Sequence, residues 1–432
     1  MDLETVAWLD SSDGVGALAV ATADDDASHA RAAAGEATAV DPLKAVTALR
    51  RAVPGIGSAR ASAVLAQVRL RRWARPRLGD LVDRLLLTED GLEQATRTVV
   101  ADLRAARYAA SGASHVADLG CGLGLDCAAF ARAGLTVTAV ERDPVMAVLA
   151  RRNVAALGHG ARVTVLGGDV TDERVLASVL DGADAAFSDP ARRDPASRRE
   201  GRSARVPAPE SWSPPWSWVG SVAARVPRTA AKVAPGIDRA LVPSGGCGTW
   251  TSVDGQLVEA EIAWPALALD RACRAAVVVR SGRTDPLVLR SDVGLDDETP
   301  PPVGPVGAWL LEPDDAVIRA GLVASVVAQV EGRLLDPRVA YVTADLDPHT
   351  AADADVAAAC FRVEESLPFG LDALRAALVA RGVGRVIVKK RAIAADPDDV
   401  RRRLRLPRAP GSAVVLLTRI GDAPWAFVCD VR

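Results

Sequence analysis

The chain has 432 residues, too many for one ordinary hydrophobic core, so two or three domains are expected. Apolar residues make up 49% and charged residues 25%, and the net charge of −3 excludes a global basic field, although local basic patches remain open. The six cysteines form no C-x-x-C pair and the four histidines are scattered, which excludes metal-ligand spacing, and no apolar run reaches the roughly 18 residues of a membrane span.

Residues 1–112 read as a helical region. Apolar positions recur at helical spacing over Pro42–Arg50 and Ser58–Arg75. Asp90 followed three residues later by Glu93 predicts a capping box that opens a helix over Leu92–Tyr108. From about residue 113 to 305 strands and helices alternate. Val116–Leu119, Thr136–Glu141, Arg162–Leu166, Ala183–Ser188 and Ala230–Ile237 read as strands. Leu125–Ala133, Val145–Ala156 and Glu173–Leu180 read as helices between them. Short loops in such an alternation predict a parallel, doubly wound sheet. Asp254-Gly255 between Thr249–Val253 and Leu257–Trp264 predicts a hairpin. Asp285–Pro305 is acidic and proline-rich and reads as a linker. Residues 306–432 read as a separate α/β region. Helices are expected at Ala316–Gln329 and Leu371–Arg381, and strands at Arg385–Lys389, Ala413–Arg419 and Pro424–Val431.

The first strand ends in Asp118-Leu119-Gly120-Cys121-Gly122-Leu123-Gly124 and runs into a helix. Glycines at such a turn let a ligand approach bare backbone. The spacing is G-x-G-x-G rather than the G-x-G-x-x-G of a dinucleotide fingerprint. S-adenosylmethionine fits the residues that follow. Gly120, Gly122 and Gly124 admit its amino-acid end, and Asp118 accepts a hydrogen bond near the cationic group. Glu141, closing the second strand, is placed for the ribose diol. Asp169, after the third strand, is placed for the adenine amine. The fourth strand runs into Ser188-Asp189-Pro190-Ala191-Arg192, a loop at the carboxyl edge of the sheet. There Asp189 can orient an exocyclic amine in line with the sulfonium. The plain alternative is an Asp-Pro turn.

These segments resemble a family: class I S-adenosylmethionine-dependent methyltransferases with a C-terminal THUMP-like domain. The resemblance is carried by Leu87–Arg97, Val116–Asp126, Ala139–Pro144, Phe187–Asp194, Lys232–Asp238, Leu311–Val323 and Leu367–Arg391. It implies a Rossmann-like α/β core, preceded by the helical region and followed by a small α/β THUMP-like domain over about 335–432. It also implies S-adenosyl-L-methionine as cofactor and RNA as substrate class, with nothing to separate tRNA from rRNA. Amine methyltransferases of nucleic acids usually carry Asp/Asn-Pro-Pro-aromatic at this loop. Here Ala191 and Arg192 stand in the last two places, so a guanidinium replaces the stacking ring. Carbon-5 uridine methyltransferases carry Asp-Pro-Pro-Arg there, but they need a cysteine just after the next strand. No thiol follows Ala230–Ile237 before Cys247.

Support for RNA in the residues themselves is local. Arg381–Arg408 holds ten bases and three aspartates, including Lys389-Lys390-Arg391 at a strand end. These three are candidate phosphate contacts, with a solvated face as the alternative. Arg192–Arg205, with Trp212, Trp216 and Trp218 after it, is a candidate base-holding segment or a core plug. Pro54-Gly55-Ile56-Gly57 is similar to a helix-hairpin-helix turn, with ordinary helix packing as the alternative. The expectation is a cytoplasmic methyltransferase acting on an amine nitrogen of an RNA base, without metal or membrane. A small-molecule or protein acceptor, or an inactive RNA-binding module on the same fold, are the alternatives.

Overall fold

The computed structural model describes residues 1–33, 42–191, 208–268, 273–293, 299–349 and 355–430. The chain divides into two compact units: Met1–Lys232 with Ala263–Leu267, and Val233–Ile262 with Ala268–Arg432.

The first unit begins with helices α1 (Leu3–Asp10), α2 (Ser12–Ala33), α3 (Pro42–Ala52) and α4 (Ser58–Leu78). Two shorter steps follow, α5 (Glu89–Gln94) and α6 (Thr98–Ala110). The single helix expected over Leu92–Tyr108 is therefore two, and its cap lies earlier. The Thr88 hydroxyl accepts from the Gly91 N–H at 3.0 Å, so the first turn starts before Asp90. Between α4 and α5, Leu85, Leu86 and Leu87 run through the core fully buried. Their backbone groups are satisfied by side chains. Gln67 exchanges two bonds of 2.8 Å with Leu87. Asn153 accepts from Leu86 N at 2.9 Å and donates to Leu86 O at 3.0 Å. Buried amides of this kind stand in for a strand partner, because an unpaired buried backbone group is costly.

The rest of the unit alternates strand and helix: β1 (His115–Leu119), α7 (Leu125–Arg132), β2 (Thr136–Glu141), α8 (Pro144–Ala156), β3 (Val163–Gly167), α9 (Glu173–Leu180), β4 (Ala185–Ser188), α10 (Trp216–Arg225) and β5 (Arg228–Val233). The strands lie in the order β3-β2-β1-β4-β5, and each of these neighbours pairs in parallel. The chain goes outward from β1 to β3 and returns to start again at β4. The switch point therefore falls beside the carboxyl end of β1. β5 stops at Val233, short of the expected Ile237, and Pro235 lies just beyond it. Tyr108, Phe130 and Phe187 pack edge to face in the core, and the Tyr108 hydroxyl donates to Ala186 O at 2.8 Å.

The second unit contains β6 (Cys247–Val253), β7 (Gln256–Ala263), β8 (Arg274–Val279) and β9 (Leu287–Ser291), in the order β7-β6-β8-β9. Asp254 and Gly255 join β6 to β7 with φ of 50° and 74°, the positive values a tight hairpin turn requires. β9 corrects the expected linker: Leu287–Ser291 pairs antiparallel with β8. Beyond it come β10 (Trp309–Pro313), α11 (Asp315–Ala320), α12 (Val323–Gln329), β11 (Arg333–Asp336), β12 (Val339–Ala344), β13 (Ala358–Pro368), α13 (Leu371–Ala380), β14 (Val383–Lys390), α14 (Pro397–Leu404), β15 (Gly411–Ile420) and β16 (Ala423–Cys429). The helix expected over Ala316–Gln329 is broken at Gly321, whose φ of 71° ends α11 in a left-handed cap. A seven-stranded sheet runs β11-β12-β10-β13-β16-β15-β14. On β15, Val415 and Leu417 face one apolar cluster with Leu374, Leu378 and Leu404, whereas Val414 and Leu416 face another with Leu310, Tyr341 and Phe427. Burial on both faces explains its unbroken apolar run.

Candidate active site

The site lies in the first unit, a cleft of about 710 Å³ along the carboxyl edge of the parallel strands. Its lining includes Asp118, Gly120, Gly122, Glu141, Asp169 and Asp189, so the geometry brings together residues scattered over some seventy positions.

The glycine turn follows β1. Gly120, Gly122 and Gly124 have φ of 109°, 54° and 77°. A Cβ on Gly124 would lie 3.1 Å from Val154 Cγ2 and 3.2 Å from Ala150 O, so this glycine serves close packing against α8. A Cβ on Gly122 would meet nothing within 4 Å. Gly122 therefore keeps open space in the cleft. Glu141 holds the turn: its Oε2 accepts from Gly122 N at 3.0 Å and its Oε1 from Asp143 N at 2.9 Å. Each oxygen keeps a further lone pair for a diol.

Asp118 is 1% exposed. Its Oδ2 accepts from the Cys127 thiol at 3.0 Å, while Oδ1 is buried without a hydrogen-bond partner. Burial first, then the neighbouring Asp126 carboxylate, pushes the Asp118 carboxyl up to about 7. A buried orphan acceptor beside a glycine turn fits a ligand that brings a cationic donor. Asp126 itself is held by the buried Arg104 guanidinium and by the Thr96 hydroxyl at 2.8 Å. The Arg104 guanidinium carbon lies 4.4 Å from the Phe187 ring centroid.

Asp169, just beyond β3, also lines the cleft. Its Oδ1 accepts from Thr171 N and Oγ1 at 2.9 and 2.7 Å, and Arg142 lies 3.6 Å from Oδ2. The Thr171 hydrogen bonds hold its carboxyl below the usual carboxylate range.

Asp189 follows β4 as Gly120 follows β1, and the pairing of Leu119 with Ser188 sets them side by side. The Asp189 Oδ2 accepts from Lys232 Nζ at 2.8 Å. Ala191 forms a two-way bridge with Ser213, at 2.8 and 3.0 Å, which brings Ser213 and Pro214 to the cleft. Pro190 lies between Asp189 and this bridge. Arg192, with the arginines up to Arg205, lies outside the described residues. Of the tryptophans after it, Trp212 is 5% exposed and stacks edge to face on Trp216, which in turn lies 5.5 Å from Trp264.

Two residues that hold the site's carboxylates escaped the sequence reading. Lys232 and Arg104 are ordinary members of a strand and a helix by their neighbours. Their roles come from partners far along the chain, Lys232 bonding Gln94 O at a separation of 138 residues.

In the second unit Lys389 pairs with Glu312 and lies over the Phe361 ring, 5.6 Å from its centroid. Arg391 lies 3.6 Å from both Glu312 and Asp315. Lys390 is exposed, with Ile393 O at 3.4 Å from its Nζ. No group of His, Cys, Asp and Glu among the described residues is placed to hold a metal ion. No helix among them is long and apolar enough to cross a membrane.

Comparison with known proteins agrees with this geometry. A family profile described as a methyltransferase domain matches residues 116–189, and one described as THUMP domain-like matches residues 358–431. Two uncharacterized S-adenosylmethionine-dependent methyltransferases of Mycobacterium tuberculosis, from strains CDC 1551 and H37Rv, are each 33% identical over 376 residues, covering 83% of this chain and 94% of theirs. The crystal structure of a putative methyltransferase from Porphyromonas gingivalis W83 superposes with a TM-score of 0.69 over 91% of this chain and 99% of that one. At 19% identity, that match is a likeness of fold.

Proposed function

We propose a reaction and an acceptor from one premise: the chain belongs to the S-adenosylmethionine-dependent methyltransferases, with a THUMP-like domain towards its carboxyl end. The reaction is transfer of the methyl group to an amine nitrogen of an RNA base. The enzyme acts in the cytoplasm, where its cysteines, all free thiols, stay reduced.

When bound, S-adenosylmethionine supplies a methyl group already activated by the sulfonium, so no strong base is needed to start the transfer. Asp118 Oδ1 accepts from the cofactor ammonium, and the bare backbone at Gly120 and Gly122 makes room for the amino-acid end, while Gly124 lets the turn pack against α8. Glu141 takes the ribose diol and Asp169 the adenine amine. Asp189 Oδ1, the oxygen not bonded to Lys232, accepts an N–H of the target amine and turns the nitrogen lone pair towards the methyl. Pro190 stiffens this loop. Arg192 is assigned to the base or its phosphate.

The observation that carries the reading is the Asp189 carboxylate at the switch point, lining the same cleft as the orphan oxygen of Asp118. RNA as the acceptor is supported by the THUMP-like match at 358–431, within the proposed module 335–432, and by the exposed Lys390 of the Lys389-Lys390-Arg391 run, whose other two members pair with Glu312. Labelled methyl transfer to total RNA from cells lacking the protein tests it. Wild-type protein is expected to label that RNA, and Asp189→Ala to lower the rate about 100-fold or more while still binding cofactor. Equal labelling by both proteins would remove Asp189 from the reaction, and no labelling by either would remove RNA.

A further inference from the structure

We infer that Lys232 is a positioning residue of the transfer site, fixing the charge and orientation of the Asp189 carboxylate beside the reacting methyl group. The strand register places it there. β4 and β5 pair Ser188 with Ala231, so Asp189 and Lys232 are the next residues on adjacent parallel strands, both at the carboxyl edge. A lysine in that place is only 6% exposed. Burying an ammonium is expensive unless its donors and its charge are both met.

Here both are met. Nζ donates to Asp189 Oδ2 at 2.8 Å, to Gln94 O at 2.7 Å and to Thr96 Oγ1 at 3.2 Å. An ammonium has three N–H donors, and these are three acceptors. One cation thereby pins the loop after β4 to the break between α5 and α6. That break is the departure from the single helix the sequence suggests, and Gln94, which closes α5, and Thr96 in the break both line the cleft.

The pairing divides the charges of the site. Asp126 is matched by Arg104, and Asp189 by Lys232. Asp118 makes no ion pair with a described residue and keeps its oxygen for the cofactor. With Oδ2 of Asp189 held by Lys232, Oδ1 is left to the acceptor, and the carboxylate as a whole is screened from the sulfonium. An unscreened carboxylate would attract the charged substrate cofactor more than the neutral product.

The inference rests on the cofactor and Asp189 assignments but not on RNA as acceptor. It is tested by calorimetric titration of S-adenosylmethionine and S-adenosylhomocysteine at pH 8. These ligands share every contact except the methyl and its charge, so loss of a mere strut weakens both alike. Lys232→Met is expected to raise the preference for S-adenosylmethionine about three- to tenfold, and Asp189→Asn to lower it by a similar factor. Lys232→Arg, which keeps the charge, should leave the preference near that of the wild type. Far-UV circular dichroism and melting check folding, and Lys232→Gln replaces Lys232→Met if that variant does not fold. A preference within twofold of wild type in the uncharged Lys232 variant, or in Asp189→Asn, would overturn the inference. Wild-type protein binding neither ligand would instead defeat the cofactor assignment, a separate result.

Discussion

Asp118 concentrates the chemistry of the cofactor cleft in one side chain. A carboxyl group 1% exposed, with Asp126 nearby and one unpartnered oxygen, holds its proton up to about 7. Cys127 supports it as a thiol, because the bond with Cys121 and burial push the Cys127 thiol well above its ordinary value. A cationic ligand reverses the balance by favouring the carboxylate. Binding of S-adenosylmethionine below pH 7 is therefore expected to release a proton, and affinity to rise from pH 6 to pH 8. Titrations in buffers of different ionisation enthalpy measure both, and Asp118→Asn should abolish the proton release. A pH-independent affinity would contradict this role. The sign for folding is opposite. A carboxyl raised above its unfolded value contributes stability fully present below about 4, and that contribution is lost as pH climbs through about 7. Asp118, Gly120, Gly122, Glu141 and Asp169, which line the cleft, were legible because each lies at or just beyond a strand end at a telling spacing. Lys232, Arg104 and Asn153 were not, since a salt bridge across 43 residues leaves no periodic trace.

At the scale of elements, packing decided what local pattern left open. The capping signal at Asp90 lost to Thr88, whose hydroxyl caps α5, and the next helix starts afresh at Thr98. β9 hides in a stretch whose prolines and acids read as linker, because its pairing with β8 is a long-range fact. β14 shows the same lesson for function. Its terminal basic run reads as one patch, but Lys389 and Arg391 turn to Glu312, whose side chain is 16% exposed. Lys390 alone of the three remains outward, with no acidic partner among the described residues. Lys390→Glu is expected to weaken RNA binding, with a salt dependence shallower by about one ion, at unchanged stability. Lys389→Gln should instead cost roughly 1 kcal/mol in denaturant unfolding, because Glu312 loses its closest cation. Filter binding over a salt series and urea titration read the two effects. The reverse assignment of effects would show that Lys389 faces the nucleic acid.

The whole molecule carries two different kinds of information. The first unit joins a helical region to a doubly wound sheet through a shared core, in which Leu85–Leu87, Leu123 and Leu149 pack together. The second unit holds the segment matched as THUMP domain-like, whose strands β13–β16 share one seven-stranded sheet with β10, β11 and β12. The Rossmann-like class was readable from strand–helix alternation, since βαβ units write their order directly into sequence. The mixed sheet of the second unit was readable only in part. Its last strands were read from their apolar runs, whereas β10, β12 and β13 carry comparable runs, Ala308–Leu311, Val339–Val342 and Val356–Phe361, whose antiparallel pairing is a long-range fact. The proposed division of labour, transfer in the first unit and acceptor choice aided by the second, is tested most directly in cells. Nucleosides from total RNA of cells with and without the gene are compared by mass spectrometry. One base-methylated nucleoside is expected to disappear with the gene and return with the wild-type protein, but not with Asp189→Ala or Gly122→Arg. Identical nucleoside profiles with and without the gene would contradict RNA methylation by this enzyme.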